Sequence, residues 1–348
     1  MSRIVRATLA VLCILGIVAA GIAYWQYESY KEWYLEDNAL IIKDEKFTIE
    51  SGASLRAVAS ELNEKGLLAH PKIFEYLARA NKETEIKAGQ YVLYQDESPQ
   101  AMLERFISGK VELHKVTLIE GKTLKQWIQT LNKQNKLAKL DRAITAELIV
   151  EKLGIEHDNP EGLFLPETYT FVEGDSALSI LAIAHESMMD KLAKLWETRD
   201  QNLPLETPYD ALILASIIEK ETSVASERDE IAGVFIRRLN KGMKLQTDPT
   251  IIYGMGDRYK GKIRRKDLRE KNLYNTYVID GLPPTPIAMP SYDALYAAMH
   301  PNMKGDALFF VAKGDGTHQF SATYEEHKKA VSEFQLRRRA DYRSTPGK

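Results

Sequence analysis

From Ala7 to Trp25 the chain runs for 19 residues, "ATLAVLCILGIVAAGIAYW", without a charged side chain. That is the length a helix needs to cross a bilayer core. Arg3 and Arg6 precede the run, Glu28, Glu32 and Glu36 follow it, and Tyr24, Trp25 and Tyr27 stand at its far boundary. Basic residues before the span and aromatics after it predict a single-pass anchor, residues 7–25, with residues 1–6 in the cytoplasm and the rest of the chain outside. A cleaved signal peptide is the rival reading. Against it, the run is longer than a signal h-region and ends in bulky aromatics. Residues 26–45 mix aromatics with acids and read as a stalk.

Beyond the stalk, helical and alternating patterns follow one another. "KFTIES" reads as a strand ending at Gly52. Ser54 then N-caps a helix with Leu55, Val58, Ala59 and Leu62 on one face, stopped by Gly66. Pro71 opens a second helix with Ile73, Phe74, Leu77 and Ala78 inward, and Gly89 releases the strand "QYVLY". Ser98 and Pro99 start a third helix that ends at Gly109. Residues 46–112 thus predict a βααβ unit with both helices on one face.

In residues 113–348 the pattern is again mixed. "ELHKVTLIE" is a strand, and Thr123 caps a helix carrying Leu124, Trp127, Ile128 and Leu131. Residues 132–142 are polar and read as a loop. The turn-rich, aromatic "NPEGLFLPETYTF" reads as a surface loop or a strand lining a cleft. Helices are predicted from Ser176 to Arg199, from Thr207 through "ALILASIIEKET", and from Ser226 with Ile231, Val234, Phe235 and Leu239 inward. "LFFVAK" and "HQFSAT" flank "GDGT", a hairpin signal that makes His318 a hairpin residue. Thr323 and Glu326 form a capping box for a last helix. The predicted fold class is α+β behind a transmembrane helix.

Composition narrows the function classes. A formal net charge of −2, with the one long basic cluster (260–272) interleaved with acids, argues against a nucleic-acid partner. The sole cysteine, Cys13, lies inside the anchor, so the exported part has no disulfide and no thiol nucleophile. The seven histidines never come within a zinc-binding spacing, which argues against a metal enzyme.

One carboxylate stands out. The helix beginning at Thr207 is apolar nearly all round from Ala211 to Ile218, which predicts burial, and then ends in "EKE". Acids are disfavoured at a helix C-terminus. Glu219 shares a stripe with Leu212, Ala215 and Ser216, and the two small residues predict room for a ligand beside its carboxyl. Glu221 lies on the opposite stripe and reads as structural. A carboxyl group embedded in apolar surroundings is the kind of group that protonates a glycosidic oxygen. Turn chemistry is the plain reading of "LQTDPT" and of Asn275, yet Gln246, Thr247, Asp248, Tyr253 and Asn275 also offer the hydrogen bonds and stacking that a sugar requires. Hydrolysis by two carboxylates would recruit Asp248 or Glu227.

"ASIIEKETSVASERDEIAGVFIRRLNKGMKLQTDPTIIYGMG" followed by "YNTYVIDGLPPTPIAMPS" resembles the core of the endolytic murein transglycosylase (YceG-like) family. The anchor and "EGLFLPETYTF" fit the same family, and the βααβ unit is similar to a LysM glycan-binding module. One departure is "PPTPIAMP", where the family more often has Gly for Thr285 and Asn for Met289. The resemblance implies that Glu219 is the catalytic acid, without cofactor or metal. It also implies an inner-membrane protein whose catalytic domain faces the periplasm, acting on peptidoglycan glycan strands near synthase complexes. The expected products are 1,6-anhydro-MurNAc ends. A muramidase and a non-catalytic wall-binding scaffold are the alternatives.

Overall fold

The charge-free N-terminal run lies within one continuous helix, α1 (Arg3–Leu35), in the computed structural model of the chain, which describes residues 3–36, 40–138 and 143–336. Val11, Leu12, Ile14, Leu15, Ile17 and Val18 are all exposed, as a lipid-facing surface would be. The helix does not stop at Trp25. The first part of the segment read as a stalk continues it, and Tyr34 near its end is buried in the same core as the βααβ elements, its ring 6.2 Å from that of Phe74.

Two units divide the chain: Met1–His114 with Phe171–Gly174, and Lys115–Thr170 with Asp175–Lys348. In the first, β1 (Glu45–Ile49), α2 (Leu55–Glu64), α3 (Pro71–Ala80) and β2 (Gly89–Leu93) give the βααβ order, followed by α4 (Pro99–Ser108). β1 and β2 pair antiparallel with Phe47 opposite Tyr91. Both rings are fully buried and pack on Phe106 of α4, with Tyr91 edge-on at 4.9 Å. Ser54 and Ser98 each accept the expected backbone cap bond, from Ala57 and Ala101.

The second unit contains β3 (His114–Leu118), α5 (Leu124–Asn132), α6 (Ala146–Leu153), β4 (Glu167–Phe171), α7 (Ala177–Thr198), α8 (Pro208–Glu221), α9 (Arg228–Asn240), α10 (Asp248–Met255), α11 (Tyr292–Met299), the hairpin β5 (Phe309–Ala312) and β6 (His318–Ser321), and α12 (Tyr324–Val331). β3 pairs with β4, and β5 with β6. At its centre α8 buries every residue from Ala211 to Ile218. Each of its Leu and Ile side chains contributes on the order of 2 kcal/mol by leaving water. α11, α9, α7 and α10 pack around it.

Three local readings change, and one helix is added. Residues 146–153 form α6, with Thr145 as its N-cap and Gly154 as its left-handed C-cap. "DPTIIYGM" is a helix rather than a turn, since Pro249 in the first turn has no N–H to lose there. Leu163 and Phe164 of the "EGLFLP" segment are buried, not on a surface loop. Ser226 does not cap α9. A 3-10 turn, Ala225–Glu227, leads into that helix instead, and Glu227 bonds elsewhere.

The start of α8 is secured by a capping box between Thr207 and Asp210. Thr207→Ala is expected to lower stability by about 1 kcal/mol, read as a lower urea midpoint at unchanged m-value. An unchanged midpoint would mean the box contributes nothing.

Candidate active site

Because α8 is buried around its circumference from Ala211 to Ile218, only its two ends reach solvent, and its last turn carries Glu219 and Glu221. It emerges into an open cleft of about 690 Å3 whose lining includes Glu219, Glu221, Gln246, Asp248, Tyr277 and His318. Helical phase alone put Glu219 and Glu221 on opposite faces. The structure brings both to one cleft, because it is the end of the helix, not a side, that faces it.

Glu219 is fixed from α11. The main-chain N–H of Ser291 donates to Oε2 at 3.0 Å, and the Ser291 hydroxyl donates to the same oxygen. Ser291 is the N-cap of α11, and its Oγ also accepts from the N–H of Ala294. The carboxylate that is badly placed for the C-terminal end of α8 therefore meets the N-terminal end of another helix. Gly121, at φ +68°, lies beside Glu219. A Cβ there would sit 3.8 Å from the Glu219 Cγ, and Lys220 Nζ donates to the Gly121 carbonyl at 3.0 Å.

The small residues below Glu219 have a different use from the one expected. Ala215 and Ser216 are fully buried. The Ser216 hydroxyl donates to the Ile213 carbonyl at 2.7 Å and accepts from the Ile287 N–H at 3.0 Å. The space is filled by the "PPTPIAMP" segment, whose Ala288 and Met289 are also fully buried. That segment is tied to the turn around Gly121 by two backbone bonds of 2.9 Å, Gly121 N–H to Met289 O and Met289 N–H to Lys122 O. Glu219 is thus held by the start of α11, with the turn around Gly121 beside it, and it lines the cleft.

On the other side, Thr247 is the N-cap of α10, yet its hydroxyl makes no cap bond. It donates to Glu221 Oε1 instead. Burial pushes the Glu221 carboxyl up to about 7, the Thr247 bond opposes the shift, and the charge of Asp248 adds to it. The Tyr277 hydroxyl donates to Asp248 Oδ1 at 2.8 Å. Burial, then the Asp248 charge, raises that phenol well above its ordinary value, so it stays a donor. Gln246 has φ +51°, a left-handed conformation costly for a residue with a Cβ. It is held by its N–H to the Thr276 carbonyl and by its Oε1, 3.4 Å from the Arg238 guanidinium.

Of the residues singled out in the sequence, Glu219, Gln246 and Asp248 line the cleft. Thr247 is buried beneath it. Glu227 stands behind the lining: Oε1 accepts from the His318 N–H and Oε2 faces His318 Nδ1, each at 2.8 Å. Asn275 is buried, its side chain donating to the Asp267 and Glu270 carbonyls, which is turn chemistry. Tyr253 belongs to a separate polar cluster, donating to Glu161 Oε2 at 3.3 Å. Glu161 Oε1 accepts from the Leu124 N–H at the start of α5, and burial pushes this carboxyl up to about 7. The sequence reading missed Ser291, Gly121, His318 as a cleft residue, and Glu161. Ser291 follows Pro290 as a helix start, which is the one signal that pointed to it.

Residues 47–333 match the model of the YceG-like family. The chain is 31% identical over 314 residues to the endolytic murein transglycosylase of Bacillus subtilis, covering 84% of this chain and 86% of that one. It is 28% identical to a Streptococcus pneumoniae protein of the same name, over 95% of this chain and 66% of that longer one. The crystal structure of a yceG-like protein from Listeria monocytogenes superimposes with a TM-score of 0.50 at 31% identity, covering 82% of this chain and 99% of that one.

The Glu221 shift has a pH consequence. Folded Glu221 keeps its proton up to about 7, whereas the unfolded chain releases it near 4.5. Between those values the native state binds more protons, so stability falls as pH rises through the window. Glu221→Gln should make that fall shallower in urea titrations run between these limits. An unchanged slope would place the titrating group elsewhere.

Proposed function

The chain belongs to the YceG-like family, and on that premise we propose that it is an endolytic lytic transglycosylase, cutting MurNAc–GlcNAc bonds within peptidoglycan glycan strands with Glu219 as acid and then base. The observation that carries the reading is the placement of Glu219, the first glutamate of the family-like "EKET", at the cleft end of a buried helix with Oε2 fixed by two donors from Ser291.

With Oε2 the accepting oxygen, the acidic proton belongs on Oε1. It passes to the oxygen bridging MurNAc C1 to GlcNAc, the C1–O bond breaks, and GlcNAc leaves with its hydroxyl restored. The substrate's own N-acetyl carbonyl oxygen stabilises the cationic C1. The MurNAc C6 hydroxyl then attacks C1, its proton returns to Glu219 Oε1, and the 1,6-anhydro ring closes without water. Acid–base assistance of this kind is worth roughly 10²- to 10⁴-fold. Gln246, Asp248 and Tyr277 supply hydrogen-bonding groups for sugar hydroxyls along the cleft.

The exposed apolar face of α1 supports a single-pass inner-membrane anchor, with the catalytic unit in the periplasm close to strands as synthases polymerise them. The βααβ unit, with Tyr76 and Tyr94 exposed, adds a LysM-like surface for sugar stacking. One observation favours a second reading: of the two carboxyls pushed up to about 7, Glu161 and Glu221, it is Glu221 that lines the cleft, so Glu221 is the rival acid.

Uncrosslinked glycan strands digested with the full-length protein and analysed by mass spectrometry separate these readings. Wild type is expected to yield 1,6-anhydro ends, Glu219→Gln none, and Glu221→Gln still anhydro ends at a reduced rate. The reverse pattern would make Glu221 the acid. Reducing ends would mean hydrolysis, with Asp248 as the second carboxylate, and no fragments at all would leave a wall-binding scaffold.

A further inference from the structure

His318 is the first residue of β6 and pairs with Ala312 of β5. A hairpin residue of this kind has no need of a buried carboxylate, yet both oxygens of Glu227 are spent on it: one on its main-chain N–H, the other on ring Nδ1, at 2.8 Å each. The Thr222 hydroxyl, just past the end of α8, also reaches Glu227 Oε2 at 3.4 Å. The ring is pinned further by Phe310, edge-on at 5.5 Å. The side chain is only 7% exposed, and it lines the same cleft as Glu219.

These contacts fix the imidazole in position and in tautomer. A carboxylate facing Nδ1 accepts its proton, so in the neutral ring the lone pair is on Nε2. Among the described residues Nε2 has no hydrogen-bond partner, and it is not one of the buried polar atoms left without one. His318 lines the cleft, and Nε2 is the one ring nitrogen left free for a ligand there. A carboxylate–histidine pair held this tightly, with one acceptor unspent in a residue of the cleft lining, is preorganised to bind a neutral donor.

We propose that His318 is a second substrate-contacting residue, its Nε2 accepting a hydrogen bond from a hydroxyl or acetamido N–H of the glycan, and that Glu227 is the positioning residue that holds it in the accepting tautomer. The proposal rests on the glycan-cleaving reading for its ligand. It places a fixed acceptor on the hairpin side of the cleft, while Glu219 acts from the helix side. Glu227 is thereby not the second carboxylate of a hydrolase.

The test uses the full chain in detergent with 15N-labelled histidine, His318 being assigned by the signal lost in His318→Asn. Asparagine keeps a nitrogen near Nδ1 for Glu227 and removes Nε2. Titration of uncrosslinked glycan strands into the Glu219→Gln protein should shift the Nε2 resonance of His318, from a free protein in which Nδ1 carries the proton. His318→Asn should keep the thermal midpoint of the wild type and lower kcat/KM by roughly 10- to 100-fold, with part of the loss recovered in His318→Gln, whose amide reaches the Nε2 position. Glu227→Gln should lower kcat/KM as well, and by less when His318 is already Asn. An Nε2 resonance unmoved at saturating glycan, or wild-type turnover in His318→Asn, overturns the proposal. If the wild type releases fragments with reducing ends, or none, the lytic reading fails, while the titration still decides whether His318 contacts glycan.

Discussion

The constraint on which the site depends is the complete burial of α8. Eight successive residues of that helix are shielded from water, so the helix has no free flank and can offer function only at its end. Its C-terminal carbonyls make that end a poor place for Glu219 and Glu221. Both are retained because other elements supply donors: Ser291 at the N-terminus of α11 for Glu219, and the Thr247 hydroxyl at the N-terminus of α10 for Glu221. Two helix starts thus converge on one helix finish, and the cleft opens where they meet.

The same logic explains the loops. Ser216 and Ala215 are small so that the segment around Ile287 can lie directly on α8, joined through the Ser216 hydroxyl. Met289 in turn ties that segment to the turn around Gly121. Each step leads from a buried apolar surface to a backbone hydrogen bond and then to the carboxylate. Backbone groups and two short serine hydroxyls, rather than long side chains, hold the carboxylate and the segment beside it.

Much of the local structure was legible in the sequence because capping and periodicity are local. Ser54, Ser98, Thr123, Ser176, Thr207 and Thr323 all cap the helices that their neighbours predict. The hairpin around "GDGT" forms as expected, with Phe309 opposite Ser321 and Ala312 opposite His318. The misses have physical causes. α6 has a cap and a stop, Thr145 and Gly154, but spans only eight residues, too few to stand out beside the polar segment before it. In "LQTDPT", Asp-Pro reads equally as a turn or a helix start. Thr247, which reads as a turn residue or a sugar ligand, spends its hydroxyl on a carboxylate 26 residues earlier in the chain.

The sequence by itself determined the apolar N-terminal helix, most of the other helices and the hairpin, the family to which the chain belongs, and the position of Glu219 at the end of a buried helix. These depend on spacing over a few residues. Tertiary structure alone decided that Glu221 shares the cleft, that Ser291 holds Glu219, that Glu227 is committed to His318, and that Tyr253 and Asn275 lie outside the lining. The three carboxylate pairings among them depend on which donor meets which acceptor across 26 to 91 residues of chain. No local pattern records that pairing, because burial brings the partners together only once α8 is covered.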